Sequence, residues 1–421
     1  MDINKLAEIT NGIILKDTKR TIKNIVIDTR ILNDNDVFIP IKGKNLDGNN
    51  YIMDAINKNA SIVFVATYDY EEITKDVGII KINDGMEALK SICKYILNDY
   101  KGTIIGVTGS VGKTTTKELL YSILSSKYKV FKTEKNYNNI IGMCQSILSL
   151  KDEDFAIFEL GMNHIGEIKE MVEVLKPSIG IITNIGSSHI GYLGSKEKIY
   201  EAKLELIHPD LKYLVISKKD NYLNKTRYEN IIWVEEEKYI IEDDGIIYDD
   251  VNIDICGKHN IDNLNIVIKL AKFLGLNEIE IKEGLKKYKD IRIKKKYING
   301  ALIIDDSYNA SLESMKAGID YINSLNYNYK ILVLGDMLEL GSDSMFYHKD
   351  LGKYIKDKDI DKVYTYGDES KYIGYTCNKI SNHYTDKELL VKDLKEELTK
   401  DVVIYFKASR GIKLEEIIDK L

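Results

Sequence analysis

Proline is scarce in this chain, three residues in 421, and tryptophan occurs once. With 44% apolar and 30% charged residues, that scarcity excludes collagen-like and disordered classes and fits a soluble globular protein. Cysteine is also sparse. Cys93, Cys144, Cys256 and Cys377 lie scattered with no CxxC pair, which argues against a disulfide framework or a zinc site and for reduced thiols. No run of about 18 apolar residues occurs, so membrane insertion is not expected. Asp2, Lys5, Glu8 and Asp17 interrupt the stretch where a signal peptide would need its apolar core, so a cytoplasmic location is expected. Excess positive charge is missing too: 60 basic against 66 acidic side chains leave a net charge of −6, with no field to hold nucleic acid or an anionic bilayer.

What the chain does have is length and regular texture. At roughly 100–200 residues per domain it should form two or three domains. Residues 1–100 mix short strands (Ile25-Val26-Ile27, Ser61 to Val65) with a periodic helix from Met86 to Leu97, a small α/β domain. Residues 101–292 carry the apolar runs Thr103 to Val107, Phe155 to Phe158, Ile179 to Ile182 and Tyr213 to Ile216 between amphipathic stretches. Continuous apolar runs imply strands covered on both faces, hence a central parallel sheet flanked by helices. Residues 293–421 repeat the pattern (Ala301 to Ile304, Lys330 to Leu334, Val363 to Tyr366, Val402 to Phe406) and read as a second, smaller, Rossmann-like sheet. The expected fold is therefore α/β with three domains. Ligands of such sheets sit beyond the carboxyl ends of the strands.

After the first central run comes Thr108-Gly109-Ser110-Val111-Gly112-Lys113-Thr114-Thr115-Thr116, opening a helix. A strand, a glycine turn and a helix N-terminus together form a phosphate-binding loop, with Gly109 to Thr115 around ATP. Backbone N–H groups and the helix dipole hold phosphate oxygens, Lys113 opposes the β/γ-phosphates and the Thr114 hydroxyl reaches Mg²⁺. Val107 stands where the strict motif has its first glycine; the glycines fall at Gly106, Gly109 and Gly112. Glu159 and His189 follow two other strand runs and should project at the same edge, where a carboxylate and an imidazole could join Thr114 around Mg²⁺.

The form G-x-x-G-x-x-G-K-T-T resembles the ATP site of the Mur ligase superfamily. Later stretches extend the match in family order: Thr133 to Gly142, Glu159 to Asn163, Thr183 to Gly186 with His189, Ala202 to Glu205, Gly257 to Asn260 with Asn263, Asp305-Asp306-Ser307-Tyr308-Asn309-Ala310, Gly335 to Gly341 and Ser409-Arg410-Gly411. The Asp305 and Gly335 stretches point to the branch that joins D-alanyl-D-alanine to a UDP-N-acetylmuramoyl tripeptide in peptidoglycan precursor synthesis.

The resemblance implies an ATP-dependent amide ligase working through an acyl phosphate, monomeric, with ATP and two Mg²⁺ ions. It implies that Lys203 is N-carbamylated and joins Thr114, Glu159 and His189 as a metal ligand. It places Asn138 and Asn139 near the γ-phosphate and substrate, Asn260 and Asn263 by the adenine, Arg292 on the ATP phosphates and Asp306 near the ribose. It places the uridine diphosphate at Asp28-Thr29-Arg30 and Asp47-Gly48, and the remaining substrate contacts at Tyr308, Asn309 and Arg410. Catalysis would rest on Lys113, Lys203, His189 and Asn138. The chain departs from the family at Thr29, where serine is usual, at Asn49, where histidine is usual, and in Asn309-Ala310-Ser311, which lacks the expected proline. Two rival readings follow from the same residues: a folylpolyglutamate synthetase-like or other muramyl peptide ligase, and a non-enzymatic nucleotide switch.

Overall fold

The computed structural model describes residues 1–43, 46–66, 75–134, 136–237, 239–241, 245–257 and 260–421. Lys258 and His259 of the Gly257 to Asn260 stretch lie outside them, as does Lys135 of the Thr133 to Gly142 stretch. The chain divides into two compact units. One comprises residues 1–103, 133–154 and 170–176, the other residues 104–132, 155–169 and 177–421.

The first unit holds a five-stranded sheet in the order Ile13–Lys16, Gly78–Lys81, Ile62–Val65, Val37–Phe38, Ile25–Val26. Its ladders are parallel except for the antiparallel edge Ile13–Lys16. Asp84 starts the helix Gly85–Asp99 by accepting the Glu87 N–H, and Ala88, Leu89, Ile92 and Cys93 are that helix's buried side chains. Asp47 caps the short turn Gly48–Tyr51 in the same way.

The second unit contains two six-stranded sheets. The first runs Ile231–Val234, Tyr213–Ser217, Ile179–Ile182, Thr103–Thr108, Phe155–Glu159, Val130–Lys132. The second runs Lys294–Ile298, Ala301–Asp305, Val402–Lys407, Tyr329–Gly335, Lys362–Tyr366, Ile380–Tyr384, and only its Lys294–Ile298 edge is antiparallel. The second sheet, expected to be smaller, thus has as many strands as the first. The extra strands are exposed edges: Lys294–Ile298 carries three lysines and Ile380–Tyr384 buries none of its residues, so neither shows an apolar run. A small antiparallel sheet, Ile240–Ile241, Ile246–Tyr248 and Val251–Ile253, was likewise not expected.

The helix Lys113–Leu124 leaves the first sheet and packs Leu119, Leu120, Ile123 and Leu124 into a core shared with Val107, Ile181 and Leu264. The helix Glu278–Lys287 crosses it at Gly284, whose Cβ, were there one, would lie 2.4 Å from Ile123 Cα. Ser122 Oγ donates to the Gly284 carbonyl at 2.7 Å across the same contact. Gly284→Val should therefore overpack this crossing and destabilise the protein by about 1–3 kcal/mol, read by urea denaturation. Unchanged stability would show that the helices are not held at this distance.

Candidate active site

The phosphate loop is held from outside by the exit of a neighbouring strand. Thr183 Oγ1 and Asn184 Nδ2 donate to the Val111 carbonyl at 2.6 and 3.0 Å. In return, Asn184 accepts the Ser110 N–H on its carbonyl and the Val111 N–H on Oδ1. Ser110 Oγ also accepts the Gly186 N–H. Those loop N–H groups are thus spent on shape, and the first turn of the helix Lys113–Leu124 supplies the open donors. Two glycines permit the close fit. Gly109 (φ 150°) has Thr183 Oγ1 1.8 Å from where a Cβ would stand, and Gly112 (φ 82°) has Asn263 Oδ1 at 2.4 Å.

Lys113 folds back onto the carbonyls of Gly109 and Ser110 at 2.7 and 3.2 Å. Burial first, and then the charge of Arg292, push its ammonium below the usual lysine range, with Glu159 opposing. Thr114 Oγ1 donates to Glu159 Oε2 at 2.8 Å and accepts from the Arg292 guanidinium. Glu159 is buried, with Lys117 Nζ 3.7 Å from the same oxygen. Arg292 is positioned by Asp290, whose carboxylate accepts its backbone N–H at 2.8 Å, and by the Tyr308 ring, 3.9 Å below the guanidinium. Burial raises the Asp290 carboxyl above its usual range.

Lys203 is 1% exposed, and its ammonium has no hydrogen-bond or ion-pair partner among the described residues. Burial, and then the charge of Lys113, hold it well below the usual lysine range.

His189 has a partner of its own. Among the described residues no group of three His, Cys, Asp or Glu side chains is placed to hold a metal. The structure instead sets His189 Nδ1 2.8 Å from Glu339 Oε2, and the imidazole lowers the Glu339 carboxyl. The physical reason is local: both residues sit in left-handed backbone, and Gly191 lets the Glu339–Gly341 turn approach, its Cβ position lying 2.5 Å from Glu339 O. Thr114 and Glu159 are brought together; His189 faces Glu339.

Asn260 and Asn263 line the same cavity of about 430 Å³ as the phosphate loop, Arg292, Asp306, Tyr308 and Asn309. The two amides bond each other at 2.8 Å, Thr116 Oγ1 adds to Asn263 and Asn260 donates to Cys256 O, so they also tie two helices together. Asn309 accepts the Ala310 N–H. Arg410 lies 5.7 Å from the Tyr308 ring and pairs with Glu415. In the other unit, Asn139 caps the helix Ile140–Ile147 through the Gly142 N–H, and Asn138 lies just before it. There too Arg30 pairs with Asp28 at 2.7 Å, Thr29 is buried, and Asp47 accepts from Asn49.

Sequence reasoning missed Glu313. From the first turn of the helix Leu312–Ser324 it takes the Ser187 N–H and hydroxyl at 2.8 and 2.7 Å and the Lys196 ammonium at 3.3 Å. It missed Asp290 and Lys407 as well. Single charges outside a motif carry no signal in one sequence.

With this geometry in view, comparison with known proteins is decisive. Three family descriptions match in succession: "Mur ligase family, catalytic domain" over residues 21–95, "Mur ligase middle domain" over 107–271 and "Mur ligase, glutamate ligase domain" over 291–410. The chain is 34% identical over 450 residues to a UDP-N-acetylmuramoyl-tripeptide--D-alanyl-D-alanine ligase of Bacillus subtilis, spanning all of this chain and 98% of the relative. The chain belongs to the Mur ligase family. A second ligase of the same name, from Rickettsia prowazekii, is 35% identical over 91% of this chain and 92% of its own length. Among solved structures, MurF from Acinetobacter baumannii superposes with a TM-score of 0.91 at 25% identity, covering 100% of this chain and 98% of that one. The MurF ligase of Thermotoga maritima in complex with ADP gives 0.84 at 28% identity, over 94% and 96%.

For this Mur ligase the clearest steric consequence is at Gly109. A Gly109→Ala chain should bind ADP at least about tenfold more weakly, roughly 1.4 kcal/mol, measured by calorimetry. Binding equal to the parent would show that the loop does not need its close contact with Thr183.

Proposed function

We propose that the protein is an ATP-dependent amide ligase that joins D-alanyl-D-alanine to UDP-N-acetylmuramoyl tripeptide, making a peptidoglycan precursor and releasing ADP and phosphate. The observation that carries this is the phosphate loop and the Asp306–Asn309 segment lining one cavity, in a chain that covers 98% and 92% of two relatives bearing that ligase name. No helix among the described residues is long and apolar enough to cross a membrane.

A carboxylate does not acylate an amine in neutral water, because oxide or hydroxide would have to leave. On this reading the tripeptide's terminal carboxylate attacks the γ-phosphorus of ATP, ADP leaves, and the free amine of D-alanyl-D-alanine attacks the acyl phosphate and expels phosphate. Lys113 and the first-turn N–H groups spread the charge on the transferring phosphoryl oxygens. Arg292, held by Asp290 and Tyr308 and resting on the Thr114 hydroxyl, reaches the phosphates beside the loop. Asp306 meets the ribose, and Asn260 and Asn263 border the adenine. Residues 1–100 take the uridine diphosphate through Thr29, Arg30 and Asp47; residues 101–292 bind ATP; residues 293–421 receive the dipeptide, with Tyr308, Asn309 and Arg410 as contacts. Closure of such domains keeps water from the acyl phosphate.

Thr114 and Glu159 already form a hydroxyl–carboxylate pair that fits Mg²⁺, and His189 would join them by leaving Glu339. Bound there, Mg²⁺ supplies positive charge to the phosphate oxygens. Lys203 fits carbamylation: its side chain is buried, burial and then the charge of Lys113 disfavour its ammonium form, and addition of the amine to CO₂ gives a carbamate anion and a proton. An anion beside Lys113 would also relieve the repulsion between two buried cations.

Sustained ATP turnover in the presence of UDP-muramoyl tripeptide should require added D-alanyl-D-alanine. Equal consumption without the dipeptide, or nucleotide binding without turnover, would favour a nucleotide switch. Lys113→Ala should retain less than roughly a tenth of kcat, about 1.4 kcal/mol in barrier. Lys203→Ala should fold yet lose turnover, with partial recovery in acetate or formate as the small acid fills the carbamate's place. Wild-type activity in that variant would exclude the carbamate.

A further inference from the structure

The carboxylate of Asp306 is gripped on one side only. Tyr405 Oη and Lys407 Nζ both donate to Oδ2, each at 2.6 Å, while Oδ1 accepts from no described residue. Asp306 and Lys407 line the ATP cavity. Tyr405 is fully buried and Lys407 is 3% exposed, so both donors are held in place by packing. The backbone is fixed as well, the Asp306 N–H donating to Phe406 O at 2.9 Å.

The fit around the phenol is tight. Were Gly318 to carry a Cβ, it would stand 1.8 Å from Tyr405 Oη, so that helix must present glycine to admit the hydroxyl. Burial and the facing Asp306 push the phenol well above its usual range, which keeps it a proton donor at any physiological pH. A carboxylate with one oxygen saturated by two rigid donors cannot rotate. Its remaining oxygen then offers lone pairs in one fixed direction, as an acceptor only.

We infer that Tyr405 and Lys407 are positioning residues that aim the free oxygen of Asp306 at a ribose hydroxyl of the nucleotide, and thereby set the preference for ATP over its deoxy analogues. The inference rests on the ribose reading of Asp306 given above. A hydroxyl donated to a fixed, partly buried carboxylate is a charge-assisted bond, and a nucleotide lacking it leaves that oxygen unpaired. The clamp therefore acts on discrimination, where loose packing would affect all nucleotides alike.

The test is KM for ATP, 2′-deoxyATP and 3′-deoxyATP in the full-length ligase, for the parent, Tyr405→Phe, Lys407→Met and Asp306→Ala. The parent should prefer ATP over at least one analogue by tenfold or more, on the order expected for an unpaired charged acceptor. In Asp306→Ala that preference should vanish. Tyr405→Phe, which removes one oxygen from a buried ring and should fold, is expected to lose at least about half of the preference on a logarithmic scale, and Lys407→Met more. If Asp306→Ala abolishes the preference while Tyr405→Phe and Lys407→Met keep the parental ratio, the clamp is wrong and the ribose reading stands. A parallel rise in KM for all three nucleotides in those two variants, with the ratio unchanged, also overturns the clamp. If the parent shows no preference, or Asp306→Ala retains it, the ribose reading fails and the inference falls with it.

Discussion

The shape of the phosphate loop depends on a two-way exchange of hydrogen bonds with Thr183 and Asn184. The loop cannot close on itself: its glycines leave room, and the neighbouring strand's exit fills that room with donors and acceptors. From this exchange follow the orientation of the helix Lys113–Leu124, the direction of its open N–H groups and the burial of Lys113. The continuation of the same exit segment, Ser187, is what Glu313 of the C-terminal sheet's first helix grasps. One segment thus carries both the loop geometry and the contact that brings the second sheet to the nucleotide cavity.

Around that loop several basic side chains are buried close together. Lys113 and Lys203 are both held below their usual range, and Arg292 rests on the Thr114 hydroxyl. Buried like charges are costly unless an anion joins them. A bound triphosphate would supply such an anion. Glu159 is fixed at the loop's edge by Thr114, beside Lys117.

Much of this was legible in the sequence. The four apolar runs of the central sheet and the four of the C-terminal sheet became strands because parallel, doubly covered strands must be apolar throughout. The phosphate loop was legible because glycine, lysine and threonine at fixed offsets answer one chemical need. Lys294–Ile298 and Ile380–Tyr384 were not, since an exposed edge strand needs no apolar pattern. His189 was placed at the right loop, but its pairing with Glu339 depends on two left-handed residues and a glycine contact from distant sequence. Glu313, Tyr405 and Lys407 acquire meaning only through partners about a hundred residues away, which no local spacing encodes.

The central claim is that the tripeptide carboxylate itself is phosphorylated. Labelling that carboxylate with ¹⁸O and analysing the released phosphate by mass spectrometry tests it most directly. Transfer of one ¹⁸O atom into each phosphate formed is the predicted result. Phosphate free of label, with ligation proceeding at its normal rate, would contradict the account.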